Sequence, residues 1–284
     1  MIPNNNLSVL PWYEEISEQN ARKWWVYDRI YPLFVQQGFM IPFQIILPHT
    51  GEDPHYMTFN IHDGNTGAYI SGFPLAEAEI KEFPALGYDV VVFPGLFPVT
   101  TLPIGRYFLA ATIDDFSLWS EVFTVVQDIQ PYLKITWWDA DDFVMDAGAI
   151  VYKNPSFKNV LYLDADLAKP EYPFEEEGET RDGYFFPTKQ ISEKRYKFSF
   201  WASEYLLDVM RFIRMSDYAE IEYHGQRYSL DTFLITPEWE NNGDIAGVQA
   251  EFDTATVAKK IGLGYIKSGR GDFNDDFNDD FNNE

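Results

Sequence analysis

The stretch RYKFSFWASEYLLDVMRFIRM, Arg195–Met215, changes its period half-way along. In its first part Tyr196, Phe198 and Phe200 fall on one side and Arg195, Lys197 and Ser199 on the other. That is the period of two of a half-buried strand. From Ser203 the apolar positions become Leu206, Val209, Met210 and Ile213. Their i, i+3, i+4, i+7 spacing makes one stripe of an α-helix. Ser203 stands where an N-cap belongs, Glu204 suits the positive helix end, and Arg211 and Arg214 suit the last turn. The stretch predicts a strand followed by one packed helix over 203–215.

Away from this point the period of two dominates. Downstream, Ala219, Ile221 and Tyr223 alternate with Glu220 and Glu222, and His224-Gly225 predicts a turn into QRYSLDTFLITPEW. Val248, Ala250 and Phe252 then share a face. Upstream, YLKITWWD and NVLYLDADL read as strands. Ile41, Phe43, Ile45 and Leu47 alternate, as do Met57, Phe59 and Ile61, and then Tyr107, Leu109, Ala111 and Ile113. YDVVVF, Tyr88–Phe93, reads as a strand buried on both faces, and WSEVFTVV, Trp119–Val126, as one alternating strand. HTGEDP, DGNTG, FPGLFP and DDF between these runs carry turn chemistry.

The expected fold class is therefore mainly β: two antiparallel β-sandwich-like domains, the second with one packed α-helix. The expected units are an N-terminal arm over 1–37, an immunoglobulin- or fibronectin-III-like sandwich over 38–128, a β domain over 129–264 holding helix 203–215, and an acidic low-complexity tail over 265–284. QDIQPYLK, Gln127–Lys134, marks the boundary between the two β domains.

The 284 residues are 46% hydrophobic, enough for a substantial core, and 18% aromatic, which favours sheets and interfaces. Acidic residues outnumber basic ones 45 to 21, a net charge of −24. Such a field repels nucleic-acid phosphates and anionic membrane surfaces, so neither is an expected partner. With no cysteine there is no disulfide, thiolate nucleophile or thiolate metal site. The first residues show no basic segment followed by an apolar run, and no stretch approaches a membrane span, so synthesis in the cytoplasm is expected.

Motifs for chemistry are sparse. His49, His55 and His62 lie near Asp53 and Asp63, but their spacing matches no familiar metal pattern, so no metal and no cofactor is expected. No Gly-x-Ser-x-Gly, phosphate loop or dinucleotide fingerprint occurs, so no catalytic residue and no enzyme activity is expected. EEEGETRDGYFFPTKQ, Glu175–Gln190, crowds carboxylates into one half and rings into the other. It reads as a solvated acidic loop between strands, which GYFFP either anchors or uses to offer Tyr184, Phe185 and Phe186 to a neighbouring subunit. The pairs Trp24-Trp25 and Trp137-Trp138 place one ring on each side of a strand, and an outward ring suits a subunit or a sugar. In the tail, Phe273, Phe277 and Phe281 recur every four residues and would share one side of a partner-induced helix. The interface candidates are thus Tyr184, Phe185, Phe186, Trp24, Trp25, Phe273, Phe277 and Phe281.

LWSEVFTVVQDIQPYLKITWWDADDFVMDAG and the segment from Glu175 through HGQRYSLDTFLITPEW resemble an uncharacterised family of virion- and tail-associated proteins in phages and prophages of gut Bacteroidota. The order Arg181-Asp182-Gly183, strand, helix, EIEYHGQRY is also similar to that of distal tail adaptor proteins, a likeness of element order alone. The resemblance implies a structural component of a phage particle, at the tail or baseplate, located in the virion. It implies other virion proteins as partners and a homo-oligomer in the assembled particle. A carbohydrate-binding or host-recognition β-sandwich, with a glycan as ligand, is the alternative.

Overall fold

A computed structural model of the chain describes residues 8–14, 33–49, 51, 55–73, 78–94, 102–140, 143–146, 150–153, 157–239, 245–254 and 258–261. The first half contains β1 (Trp12–Tyr13), β2 (Leu33–Gln36), β3 (Phe43–Pro48), β4 (Met57–Asp63), β5 (Tyr69–Gly72), β6 (Glu79–Phe83), β7 (Tyr88–Phe93), β8 (Gly105–Ile113), β9 (Phe116–Ser120) and β10 (Phe123–Val126). Strands β3, β7 and β6 form one sheet in that order. The other sheet is centred on β8, with β4 and then β5 on one side and β9 and β10 on the other. β1 lies outside β9, and β2 runs parallel to β10.

The alternation read from the sequence sets what lies between the sheets. Trp12 and Phe59 from one sheet meet Phe43 from the other at ring distances of 5.1 and 5.8 Å. Phe93 stacks on Phe43 at 5.0 Å, and Phe73 closes the cluster against Phe93 at 5.1 Å. Val90 and Val92 face the opposite side of β7 and are covered by Phe157 from the second half. That second cover explains why YDVVVF is apolar on both faces.

Two expectations need correction here. The sandwich does not begin at residue 38, because residues 12–13 and 33–36 of the expected arm are paired strands of its sheet. WSEVFTVV is not one strand but two, broken at Glu121-Val122. Leu118 and Ser120 face inward before the break and Phe123 and Val125 after it, so the break shifts the inward set by one residue. Glu121 is buried there; the Tyr13 hydroxyl and the Val122 amide donate to its carboxylate at 3.1 and 3.0 Å.

The second half contains β11 (Leu133–Trp138), β12 (Phe143–Asp146), β13 (Ile150–Lys153), β14 (Asn159–Leu163), β15 (Phe174–Arg181), β16 (Tyr184–Ser192), β17 (Arg195–Ser203), α1 (Glu204–Met210), β18 (Tyr218–Tyr223), β19 (Gln226–Trp239), β20 (Ile245–Thr254) and β21 (Ala258–Ile261). Six of these strands run in the order β14-β11-β18-β19-β20-β17, every pair antiparallel. β19 pairs with β18 through Ser229 and with β20 from Leu230, with a bulge at Leu230/Thr232 where it changes partner. The chain leaving β14 returns to the far edge, where Ala168 and Glu171 amides donate to the Lys197 and Arg195 carbonyls at 2.8 Å. One segment thus bridges both edges of the sheet.

Tyr196, Phe198 and Phe200 are buried as their spacing predicts, and so are Leu206, Val209, Met210 and Ile213. Helix α1 is shorter than the expected 203–215: it ends at Met210 and a short 3-10 turn, Ile213–Met215, follows. Ser203 occupies the N-cap with extended backbone, but its hydroxyl makes no capping bond. The helix is held by its apolar stripe against the sheet rather than by its ends, as is usual for so short a helix. The His224-Gly225 turn is as read, both residues having positive φ. The chain is mainly β with one α-helix among the described residues.

Candidate functional site

The acidic segment is the main local surprise. Glu175–Glu179 are not in a loop: they lie in β15, which pairs with β16 as a hairpin, and β21 extends it to three strands. The turn is Asp182-Gly183, with φ of 50° and 84°. A two-residue turn with both φ positive has the twist that a hairpin needs, and Asp-Gly is a preferred sequence for it. Once the turn is set, each carboxylate gains a cross-strand neighbour. Glu177 faces Lys189 and bonds its ammonium at 2.9 Å, and Glu176 faces Gln190. These contacts offset the poor strand preference of glutamate.

The hairpin has two unlike faces. Glu175, Glu177, Glu179, Phe186 and Tyr184 lie on one by register, and Glu176, Gly178, Thr180 and Phe185 on the other. A bulge at Glu177/Gly178 marks the change. Gly178 is required there: an added Cβ would sit 2.3 Å from the Phe186 carbonyl oxygen and 2.7 Å from Phe185 Cζ. The Phe185 ring therefore crosses over Gly178 from β16 to β15. Tyr184, Phe185 and Phe186 are 72%, 49% and 43% exposed, and Tyr172 and Phe174, at the end of the hairpin away from its turn, are 66% and 59% exposed. Burial of such rings is worth about 1.5–3 kcal/mol each, so three consecutive exposed rings beside the turn are unusual.

The histidines are arranged differently from what their spacing suggests. His62 stacks on Phe108 at 5.1 Å and accepts or donates nothing to the other two, its Nδ1 lying 3.0 Å from the Gly67 carbonyl. His49 and His55 instead meet across Asp89. His49 Nδ1 lies 2.8 Å from Asp89 Oδ1, and His55 Nε2 lies 3.0 Å from Asp89 Oδ2. His55 Nδ1 continues to Asp114 Oδ2 at 2.6 Å, and the Tyr56 amide donates to Asp114 Oδ1 at 2.8 Å. The side chains of His55 and Asp89 are only 3% and 4% exposed. Asp89 belongs to the three-stranded sheet and Asp114 to the β8–β9 turn, where its φ is 50°. The row of four side chains joins the two sheets at one end of the sandwich.

A neutral imidazole donates from one nitrogen only, so between two carboxylates the protonated form is favoured. Burial opposes the charge, yet the Asp114 and Asp89 bonds prevail and raise the His55 pKa above its ordinary value. Burial likewise opposes ionised Asp114, but bonds from His55 and the Tyr56 amide hold its pKa low. Both His55 nitrogens are occupied, which leaves it no lone pair for a metal. Among the described residues no three His, Asp or Glu side chains converge on a metal position. One usable signal for this row is local: an aspartate inside the buried run YDVVVF needs a partner.

Of the other candidates, Trp137 is buried and Trp138 is half-buried, stacked on Tyr218 at 5.3 Å beneath Lys158. Trp24, Trp25, Phe273, Phe277 and Phe281 lie outside the described residues. A ring that spacing did not single out is Trp201, half exposed on β17 with its ring 3.5 Å from where a Gly247 Cβ would stand. Ser199, Gln249 and Thr236 form the next row on that exposed face. No family model matches the chain, and no curated protein matches it in sequence.

Proposed function

We propose that the chain is a structural component of a phage particle, a tail or baseplate adaptor or tail-associated assembly protein, made in the host cytoplasm and incorporated into the virion with other virion proteins and copies of itself. The observation that carries this reading is the hairpin β15–β16. Tyr184, Phe185 and Phe186, exposed on the two faces of the hairpin beside its turn, suit a protein whose surface is completed by assembly. The family likeness of the second half supplies the particle. The test is mass spectrometry of purified particles. The chain is expected at a fixed copy number relative to the major tail protein, and its absence from intact particles overturns the reading.

A second reading is carbohydrate binding, favoured by Trp201. Its ring packs beside Gly247 and is half exposed, and hydroxyl and amide side chains stand in the next row of the same face. That combination suits a sugar ring, apolar on its C–H face and polar at its rim. Titration of host polysaccharide into wild type and Trp201→Ala distinguishes it: saturable binding lost in the variant supports it, and no binding to wild type discards it.

A further inference from the structure

We infer that the outward face of the second sheet around Trp201 takes glycans without acidic groups, and that Glu238 is the residue that turns acidic ones away. The inference rests on the carbohydrate reading above and names its class of ligand. Register puts Trp201, Gly247 and Glu238 in one row across β17, β20 and β19, so the three share a face. The neighbouring row of that face is Ser199, Gln249 and Thr236. Trp201, Glu238 and the whole neighbouring row are exposed. Phe198, Phe200, Val248 and Ala250 alternate with them and are buried on the other side.

Gly247 keeps the floor between ring and carboxylate bare. A Cβ added there would stand in ordinary contact with the Trp201 ring, 3.5 Å from Cζ3. Glu238 stands two strand spacings, about 9.5 Å, from the Trp201 backbone. A bare floor beside an exposed indole suits the C–H face of a pyranose, and the uncharged hydroxyl and amide groups of the next row suit its hydroxyls.

Charge then selects among sugars. The two bases further along this face of β17 are already committed. Lys197 holds both oxygens of Glu171 at 2.8 and 2.9 Å, and Arg195 holds both of Asp253 at 2.8 and 3.0 Å. Glu238 ends the Trp201 row, and Glu251 follows Gln249 along β20. An acidic sugar seated over Gly247 therefore meets a carboxylate and no uncommitted cation in these rows, on a chain of net charge −24. An uncharged sugar is not repelled.

The probes are hexasaccharides of glucose, galactose and mannose, each beside its counterpart oxidised at the primary alcohol to the uronate. They are titrated into the full chain. A neutral member is expected to bind saturably, and its uronate to bind at least about tenfold more weakly. Trp201→Ala and Gly247→Val should each weaken neutral binding by about tenfold or more. Gly247→Val keeps the ring and fills the floor, and valine suits a strand, so the sheet should stand. Glu238→Lys should strengthen uronate binding by about tenfold at low ionic strength, a gain that fades in high salt. A uronate that binds wild type as tightly as its neutral partner, or that gains nothing in Glu238→Lys, overturns this inference and leaves the carbohydrate reading standing. Neutral binding untouched by Gly247→Val also overturns it. No saturable binding of any probe sinks both.

Discussion

Replacing His55 by alanine separates the two ends of the row His49–Asp89–His55–Asp114, and the structure fixes how much each end loses. Asp89 has a side chain 4% exposed and keeps only His49. Leaving one oxygen of a buried carboxylate without its partner costs about 1–3 kcal/mol, with the upper part of that range apt for a charge. Asp114 is one-third exposed and keeps the Tyr56 amide, so water replaces His55 there at a cost of about 1 kcal/mol or less. The expected loss is about 3 kcal/mol near pH 6. The pH dependence has a definite sign. The folded pKa of His55 lies above its ordinary 6.5, so its contribution is full below 6.5 and is lost as pH rises through the folded value. The folded pKa of Asp114 lies below its ordinary 3.8, so its contribution is present above 3.8 and is lost as pH falls through the folded value. Urea unfolding of wild type and His55→Ala from about pH 2 to about pH 9 measures both. The gap between the two proteins should be widest in the mildly acidic range and should narrow on the alkaline side. A gap below about 1 kcal/mol at pH 6, or one that widens with rising pH, refutes the assignment of this row as an inter-sheet staple.

Gly178→Ala should break the β15–β16 register, because its Cβ meets the Phe186 carbonyl at 2.3 Å; hydrogen exchange across residues 174–192 should rise while the rest of the chain stays protected. Phe43→Ala removes the ring that touches Trp12, Phe59 and Phe93, and should cost about 3–5 kcal/mol in denaturant unfolding. Asp253→Asn should cost about 1–2 kcal/mol by the same measurement, since Asp253 takes the Arg195 fork at 2.8 and 3.0 Å and the Thr232 hydroxyl at 2.9 Å. The Arg195 bonds hold the Asp253 pKa below its ordinary 3.8, so that cost should be present above 3.8 and vanish as pH falls through the folded value.

Where period alone decides burial, the sequence is a sufficient guide. Tyr196, Phe198 and Phe200, and the stripe from Leu206 to Ile213, go inward as read, because each has a flat partner face to fill. Period fails where the chain changes frame. The break at Glu121-Val122 hides in an alternating run, since Glu121 is held by the distant Tyr13 hydroxyl and by its own neighbour's amide. The hairpin β15–β16 is hidden for the opposite reason. A run of glutamates reads as solvated, and the strand exists because Asp182-Gly183 turns the chain back onto Lys189 and Gln190. The Asp-Gly signal is in the sequence and outweighs the charge. The row through His55 is beyond local reading: Asp89 and Asp114 come from strands and turns that only the sandwich brings together.

The spacing of the rings explains why one set is buried and the other is not. Tyr196, Phe198 and Phe200 alternate, so a single face of β17 carries all three into one core. Tyr184, Phe185 and Phe186 are consecutive, and a strand must then place Phe185 on one face and its two neighbours on the other. No single core can take all three. Covering both faces by folding alone would require a layer on each side of the hairpin, and the exposures show that neither side is closed by the described residues. Carboxylates of the paired strand put charge beside these rings on both faces of the hairpin.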